Sequence, residues 1–110
     1  MHSDINIEDV ALSDEQWYVA ALGDMLVWAR LRVYESGIAR VFDCDGNTVP
    51  YDSEDSARSA LLDAEYRAFD GLDEDDAADL GFDLGTVSPP AADSDDELRE
   101  RMYTKLPRRQ

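Results

Sequence analysis

The chain has 110 residues, the usual size of one domain, and 44% of them are hydrophobic, which is enough for a modest core. Its formal net charge of −16 lies far outside the magnitude of about 2–8 that is usual for small soluble domains. Such a charge opposes direct binding to nucleic acid and to anionic membranes. The single cysteine excludes an intramolecular disulfide, and the acidic start resembles no signal peptide, so we expect a cytoplasmic protein with no membrane association.

The beginning of the chain predicts an arm followed by a short helix. Residues 1–12 are polar and irregular, which is typical of a flexible arm before a single compact domain over 13–106 and a basic tail over 107–110. Ser13 and Gln16 form a capping-box pattern, and Gly23 is suited to end a helix, so we predict a helix over 14–22. The alternative is a strand over 17–22.

Three strands are predicted next. Hydrophobic residues alternate with a period of two over 25–34 and again over 38–44. A three-residue loop with a left-handed Gly37 would pair Tyr34 with Ile38 and so keep the apolar faces together. Asp45-Gly46 favours a two-residue turn that pairs Cys44 with Asn47, Phe42 with Val49 and Arg40 with Tyr51. Pro50 then requires the third strand, over 47–51, to lie at an edge of the sheet.

Helices are predicted in the second half of the chain. Apolar residues at helical spacing follow the N-cap candidates Asp52 and Ser53, which predicts a helix over 54–70. A second helix is expected over 74–80, between Asp73 and Gly81, and a third over 95–106 after the cap Ser94. The fold class is therefore α+β: a three-stranded antiparallel β-meander packed against two to four short helices.

An acid-rich stretch is the first candidate functional site. Runs of like charge usually form a solvated face, but this run overlaps a predicted helix, so it would display its carboxylates in a fixed array. Such an array suits docking to a basic protein surface or imitation of nucleic-acid phosphates. The candidate partner-binding residues are Asp70, Asp73, Glu74, Asp75, Asp76, Asp79 and Asp83.

The second candidate is the face of the meander that carries the arginines. Basic and aromatic side chains alternate there, a pattern that can stack single-stranded bases, but the surrounding charge speaks against that use. The simpler interpretation is that a helix of this chain covers the face and pairs its acids with the arginines; a protein contact is the alternative. The residues concerned are Trp28, Arg30, Arg32, Tyr34 and Arg40.

A third pattern resembles a calcium-binding loop. Asp43, Asp45, Asn47 and Glu54 occupy positions 1, 3, 5 and 12 of an EF-hand loop. Thr48 stands where that loop needs glycine, and an alternating strand precedes the segment where a helix should enter. A hairpin turn leading to a helix cap explains the same residues, so no metal is assigned and calcium remains the weaker alternative.

Nothing in the sequence indicates catalysis. The only histidine is His2, so neither a histidine-based triad nor an imidazole metal site can be built. Cys44 lies between two carboxylates, which disfavour the thiolate that a nucleophile needs. We therefore expect no enzyme and no cofactor.

Three hypotheses for function follow from these observations. The first is a non-catalytic acidic binding module that recognises a basic protein surface, as an inhibitor, neutraliser, nucleic-acid mimic or adaptor. The second is a small calcium-binding domain that uses the loop over 43–54. The third is a structural homodimer without a specific ligand, in which the acids serve solubility alone.

Overall fold

The computed structural model describes residues 11–106; the predicted tail over 107–110 and nearly all of the predicted arm over 1–12 lie outside this range. Within residues 11–106, six strands, three α-helices and two short 3-10 turns follow one another. The strands are β1 (Leu12–Leu22), β2 (Met25–Tyr34), β3 (Ala39–Phe42), β4 (Thr48–Tyr51), β5 (Arg67–Ala68) and β6 (Tyr103–Lys105). The helices are α1 (Glu54–Asp63), α2 (Glu74–Leu80) and α3 (Asp95–Glu100), with 3-10 turns at Phe69–Gly71 and Leu84–Thr86.

One antiparallel sheet organises the described residues. Its strands run in the order β4-β3-β2-β1-β5, and β6 also pairs with β2. β1 pairs with β2 along nearly its whole length, whereas β3 and β6 share the other edge of β2. β3 pairs with residues 30–33 and β6 with residues 25–27, so β2 is covered on both edges. The predicted α+β class, with a β-meander and helices, is confirmed.

The first turn of the meander is the predicted one. Tyr34 and Gly37 close a three-residue loop: the Tyr34 N–H donates to the Ile38 carbonyl, and the Gly37 N–H donates to the Tyr34 carbonyl. Gly37 has φ of 96°, in the left-handed region where glycine lacks the Cβ penalty. Val33 pairs with Ala39, as the predicted pairing of Tyr34 with Ile38 requires.

The second turn corrects the predicted register by one residue. Gly46 is left-handed and its N–H donates to the Asp43 carbonyl, so this loop also contains three residues, not two. The cause is the Asp43 side chain, whose Oδ1 accepts from the N–H groups of both Asp45 and Asn47 at 3.0 Å. Such a carboxylate cap stabilises the longer turn. The observed pairs are Ala39 with Tyr51, Arg40 with Pro50, Val41 with Val49 and Phe42 with Thr48.

Pro50 fits the corrected register without loss of a ladder hydrogen bond. Asp43 and Asn47 form a hydrogen-bonded pair, so by alternation the pair of Arg40 and Pro50 is a non-hydrogen-bonded one. The missing N–H of the proline therefore points away from β3. β4 is an edge strand, as the proline predicts.

The helix predicted over 14–22 is wrong, and the alternative strand is right. β1 begins at Leu12, and its residues Tyr18, Val19 and Ala20 are all buried because helices and turns cover both faces of the sheet there. A short apolar run buried on both sides has no period of its own, so it resembles a helix segment in sequence. The segment forms a strand because it pairs with the ten residues of β2.

The helix predicted over 54–70 ends earlier, at Asp63. Its N-cap is Ser53, as predicted, and the Ser53 hydroxyl accepts from the Ser56 N–H. At the other end the Glu65 N–H donates to the Leu62 carbonyl and the Tyr66 N–H to the Leu61 carbonyl, which is a Schellman motif. Glu65 holds the left-handed position of this motif, with φ of 71°. The chain is thereby turned so that β5 can pair with β1.

Replacement of Glu65 should therefore stabilise the protein. A non-glycine residue in the left-handed region carries a steric penalty of about 1–2 kcal/mol. Glu65→Gly removes this penalty, but part of the gain is lost because glycine increases the conformational entropy of the unfolded chain. We expect the free energy of unfolding to rise by about 0.5–1 kcal/mol, measured by urea denaturation. Glu65→Gln removes the same charge and keeps the Cβ, so it should gain less. Equal gains in both variants would assign the effect to charge and contradict the steric explanation.

The predicted bounds are correct for α2 but not for the end of α3. α2 spans the predicted 74–80, with Asp73 as its N-cap and a left-handed Gly81 as its C-cap. α3 begins after the predicted cap Ser94 but ends at Glu100, not near Leu106. Residues 103–105 leave the helix because they complete the edge of β2 as β6.

Two hydrophobic clusters hold the sheet, one on each face. On one face Ala57 and Leu61 of α1 pack against Tyr18, Ala29, Leu31, Ala39 and Val41. On the other face the segment from Phe69 to Leu106 covers Val19, Leu26, Trp28 and Phe42, and its main contacts are Ala77, Phe82, Leu98, Met102 and Leu106. Helices and turns of this chain thus cover both sheet faces, except at the arginine-rich end described below.

Candidate functional site

The acidic residues predicted as a partner site all lie on one described and folded segment. Asp70 belongs to the first 3-10 turn, Asp73 caps α2, and Glu74, Asp75, Asp76 and Asp79 lie within α2. Asp83 follows Gly81 and precedes the second 3-10 turn. Six of the seven side chains are exposed, and Asp76 is half-buried.

Packing fixes the backbone of this acidic segment. Ala77 is fully buried and Phe82 nearly so, and both belong to the hydrophobic cluster that contains Trp28. Leu72 and Leu80 pack against the same cluster from either end of α2. The carboxylates therefore project from backbone that is anchored on its inner side, as a helix with one apolar face requires.

Local hydrogen bonds divide the seven acids into two groups. Asp73 and Asp76 form a reciprocal capping box, and Asp76 also pairs with Arg67 at 3.3 Å. The other five acids form no ion pair within residues 11–106. Two of the seven residues thus have a structural duty, and Asp70, Glu74, Asp75, Asp79 and Asp83 have their carboxylates directed to solvent.

The second predicted surface is split between a covered half and an open half. Trp28 is fully buried, lies edge-on to Trp17 at a centroid distance of 6.1 Å, and donates from Nε1 to Thr104 Oγ1 at 2.9 Å. It is therefore a core residue and is not available to a partner. Beyond it the same sheet face opens, because the covering segment passes over only one end of β2.

The open half contains a pocket that we call the arginine pocket. Its volume is about 390 Å³, and three strands supply most of its walls. Arg32 and Arg40 are direct cross-strand neighbours, as predicted, and the Arg40 guanidinium lies 5.2 Å from the centre of the Tyr34 ring. The lining residues are Leu12, Arg30, Arg32, Tyr34, Arg40, Phe42, Thr48 and Asp95.

Carboxylates of this chain neutralise two of the three arginines. Arg30 Nη1 contacts Asp95 Oδ1 at 3.1 Å, which confirms the expectation that a helix supplies an acid to this face. Arg32 Nε contacts Glu15 Oε2 at 2.7 Å across β1 and β2. Burial opposes the charge of Arg32, but the hydrogen bond that Arg32 donates to Glu15, together with the Glu15 charge, outweighs burial and raises the pKa of the guanidinium. Arg40 forms no ion pair with any residue of 11–106.

The side chains of two of the four residues of the calcium-binding pattern form other contacts in the structure. Asp43 Oδ1 caps the hairpin turn, and Glu54 Oε2 accepts from Gln16 Nε2 at 2.7 Å. Asp45 and Asn47 are exposed in the turn itself. Within the described residues, no three His, Cys, Asp or Glu side chains are grouped so that they could hold a metal ion.

Cys44 lies between two tyrosines, a contact that its sequence neighbours did not reveal. A hydrogen bond with Cys44 raises the pKa of Tyr103 to about 12, and nearby carboxylates add to the effect. Burial raises the pKa of Tyr66, and Cys44 contributes again. Both phenols therefore stay in their neutral form near neutral pH.

Comparisons with protein-family models, with curated proteins and with solved structures give no match. None of the helices in residues 11–106 is both long and apolar enough to cross a bilayer. The surfaces of the molecule are what indicate a function, because a fold alone does not define one.

Proposed function

We propose that this protein is a non-catalytic acidic binding module that recognises a basic protein surface through the acidic segment over 70–83. The observation that carries the proposal is the exposure of six of its seven carboxylates, none of which forms an ion pair within the described residues. A net charge of −16 would steer a cationic partner towards this module over distances of about a Debye length, roughly 8 Å at physiological salt.

The rigid backbone of the segment favours recognition over simple solubilisation. Charges on a floppy linker lose conformational entropy when they bind, whereas α2 is already ordered by its capping box and by burial of Ala77. Its carboxylates therefore keep a fixed spacing that a complementary set of Arg and Lys side chains can match. Asp73 and Asp76 hold that backbone, and Glu74, Asp75, Asp79 and Asp83 form the contact set.

A four-residue charge-neutral variant tests the proposal. Glu74→Gln, Asp75→Asn, Asp79→Asn and Asp83→Asn together leave the capping box intact. Four exposed ion pairs at about 0.2–1 kcal/mol each correspond to a loss of about 1–4 kcal/mol of binding free energy. We expect affinity purification at low salt to recover basic proteins with the unaltered chain, and the affinity of each recovered protein for the variant to fall by about fivefold or more.

A matched control separates the acidic segment from total charge. Asp24→Asn, Glu35→Gln, Asp63→Asn and Asp93→Asn remove the same charge from four exposed acids elsewhere, none with an ion pair in the described residues. This control should weaken binding less than about twofold at matched ionic strength. Recovery of no basic protein, or equal weakening by both variants, would refute recognition through the acidic segment.

A further inference from the structure

The arginine pocket has an imbalance of charge among the residues that the structure describes. Arg32 and Arg40 lie directly opposite each other on β2 and β3, and like charges in that arrangement repel. Glu15 compensates Arg32 at 2.7 Å, but Arg40 forms no ion pair within residues 11–106. In a chain with 26 acids, a guanidinium without a carboxylate partner in this range marks a place where an external anion would be favourable.

Arg30 adds a second unsatisfied group at the floor of the pocket. Its side chain is only 9% exposed, and its guanidinium lies 5.0 Å from the centre of the Phe42 ring. Asp95 accepts from Nη1, but the buried Nε–H has no acceptor in the described part of the chain. Among residues 11–106, two carboxylates therefore face three arginines, which leaves one positive charge over in a partly desolvated concavity, where electrostatic interactions are strong.

The distribution of donors selects the kind of anion. Guanidinium groups come from β2 and β3, and hydroxyl groups come from Tyr34 on β2 and Thr48 on β4. A planar carboxylate is satisfied by a single arginine fork, whereas the three terminal oxygens of a phosphate accept from donors on several sides. A volume of about 390 Å³ lies at the lower end of the range for small-ligand sites.

We propose that the arginine pocket binds a phosphate group, either free or as the monoester of a small molecule. Arg40 supplies a charge that no carboxylate of the described residues pairs with, Arg32 is held in place by Glu15, and the buried Arg30 adds its own charge. The Tyr34 and Thr48 hydroxyls complete the donor set. This site is separate from the acidic segment over 70–83 and does not depend on the function proposed for it.

Titration of the full chain with inorganic phosphate at constant ionic strength tests this proposal. We expect saturable changes of the backbone amide NMR signals of β2 and β3, with sodium acetate at the same ionic strength giving weaker binding. Arg40→Gln should weaken phosphate binding by about tenfold or more, since a charge-assisted hydrogen bond is lost. Arg40→Lys keeps the charge but lacks the planar guanidinium, so its affinity for phosphate should lie between those of the unaltered chain and of Arg40→Gln.

Arg58→Gln is the matched control, because Arg58 lies on α1 at the other sheet face and is half-exposed. It removes the same charge and should change phosphate binding less than about twofold. Arg40 is itself half-buried, so a thermal melt of each variant checks folding; loss of the repulsion with Arg32 should leave the melting temperature unchanged or raise it. Phosphate signals that do not saturate, equal weakening by Arg40→Gln and Arg58→Gln, or acetate binding as tight as phosphate binding would each overturn the proposal.

Discussion

Trp28→Ala should lower the free energy of unfolding by about 3–5 kcal/mol, the range for truncation of a large buried aromatic residue. Trp28 is fully buried in the cluster that joins the sheet to the segment over 69–106, and its ring lies 5.3 Å from that of Phe69. The substitution opens a cavity between these two layers and removes the hydrogen bond to Thr104. Chemical denaturation monitored by far-ultraviolet circular dichroism measures the loss.

Trp28→Phe provides the graded comparison. It keeps an aromatic ring in the same place but loses the donor to Thr104, so it should cost less than half as much as the alanine variant. Because domains of this size are stable by about 5–15 kcal/mol, Trp28→Ala should also expose the covered half of the sheet face to a hydrophobic dye. A loss below about 1 kcal/mol would show that the second layer contributes little to stability.

Leu31→Ala should lower the free energy of unfolding by about 2–5 kcal/mol, because it leaves a cavity on the other face of the sheet. Leu31 is fully buried and lies between Gln16 of β1 and Val41 of β3, beneath α1. The surrounding strands are fixed by their backbone ladders, so the site cannot collapse to fill the space. Urea denaturation gives the change in unfolding free energy.

Leu62→Ala makes the same chemical change at an exposed position and serves as the control. Leu62 is 55% exposed on the outer side of α1, so we expect a change within about 0.5 kcal/mol. Equal losses in the two leucine variants would mean that α1 does not cover this sheet face in solution.

Local signals were the ones that sequence analysis interpreted correctly. The alternation over 25–34, the left-handed Gly37 and the caps Ser53, Asp73 and Ser94 each depend on a few neighbouring residues. The physical causes act within one turn or one hairpin, so the sequence states them directly.

Non-local pairing explains the errors. Residues 12–22 form a strand because β2 offers a long partner, and residues 67–68 and 103–105 leave their predicted helices to pair with β1 and β2. The register predicted for the second hairpin is wrong for a different reason: the Asp43 side chain caps the turn and shifts the register by one residue. Side-chain caps of this kind compete with the simplest turn type.

The arginines show the same limit at the level of a site. The alternation placed Arg30, Arg32 and Arg40 on one face, and the structure confirms that arrangement. Which carboxylates reach them depends on where β1 and α3 pass, and that cannot be derived from periodicity. The charge left over in the pocket arises because Asp95 pairs with Arg30 and Glu15 with Arg32, whereas no third acid of residues 11–106 pairs with Arg40.

The hydrogen bond from Trp28 to Thr104 joins residues 76 positions apart. A ribosome that adds about 5–20 residues per second needs about 4–15 s to synthesise the intervening chain. Throughout that interval the nascent β1–β2 hairpin presents the Trp28 face without its complete cover, while 20 of the 26 acids are added after the six that precede Trp28. Repulsion between neighbouring nascent chains would then protect this face from aggregation until residues 98–106 are made.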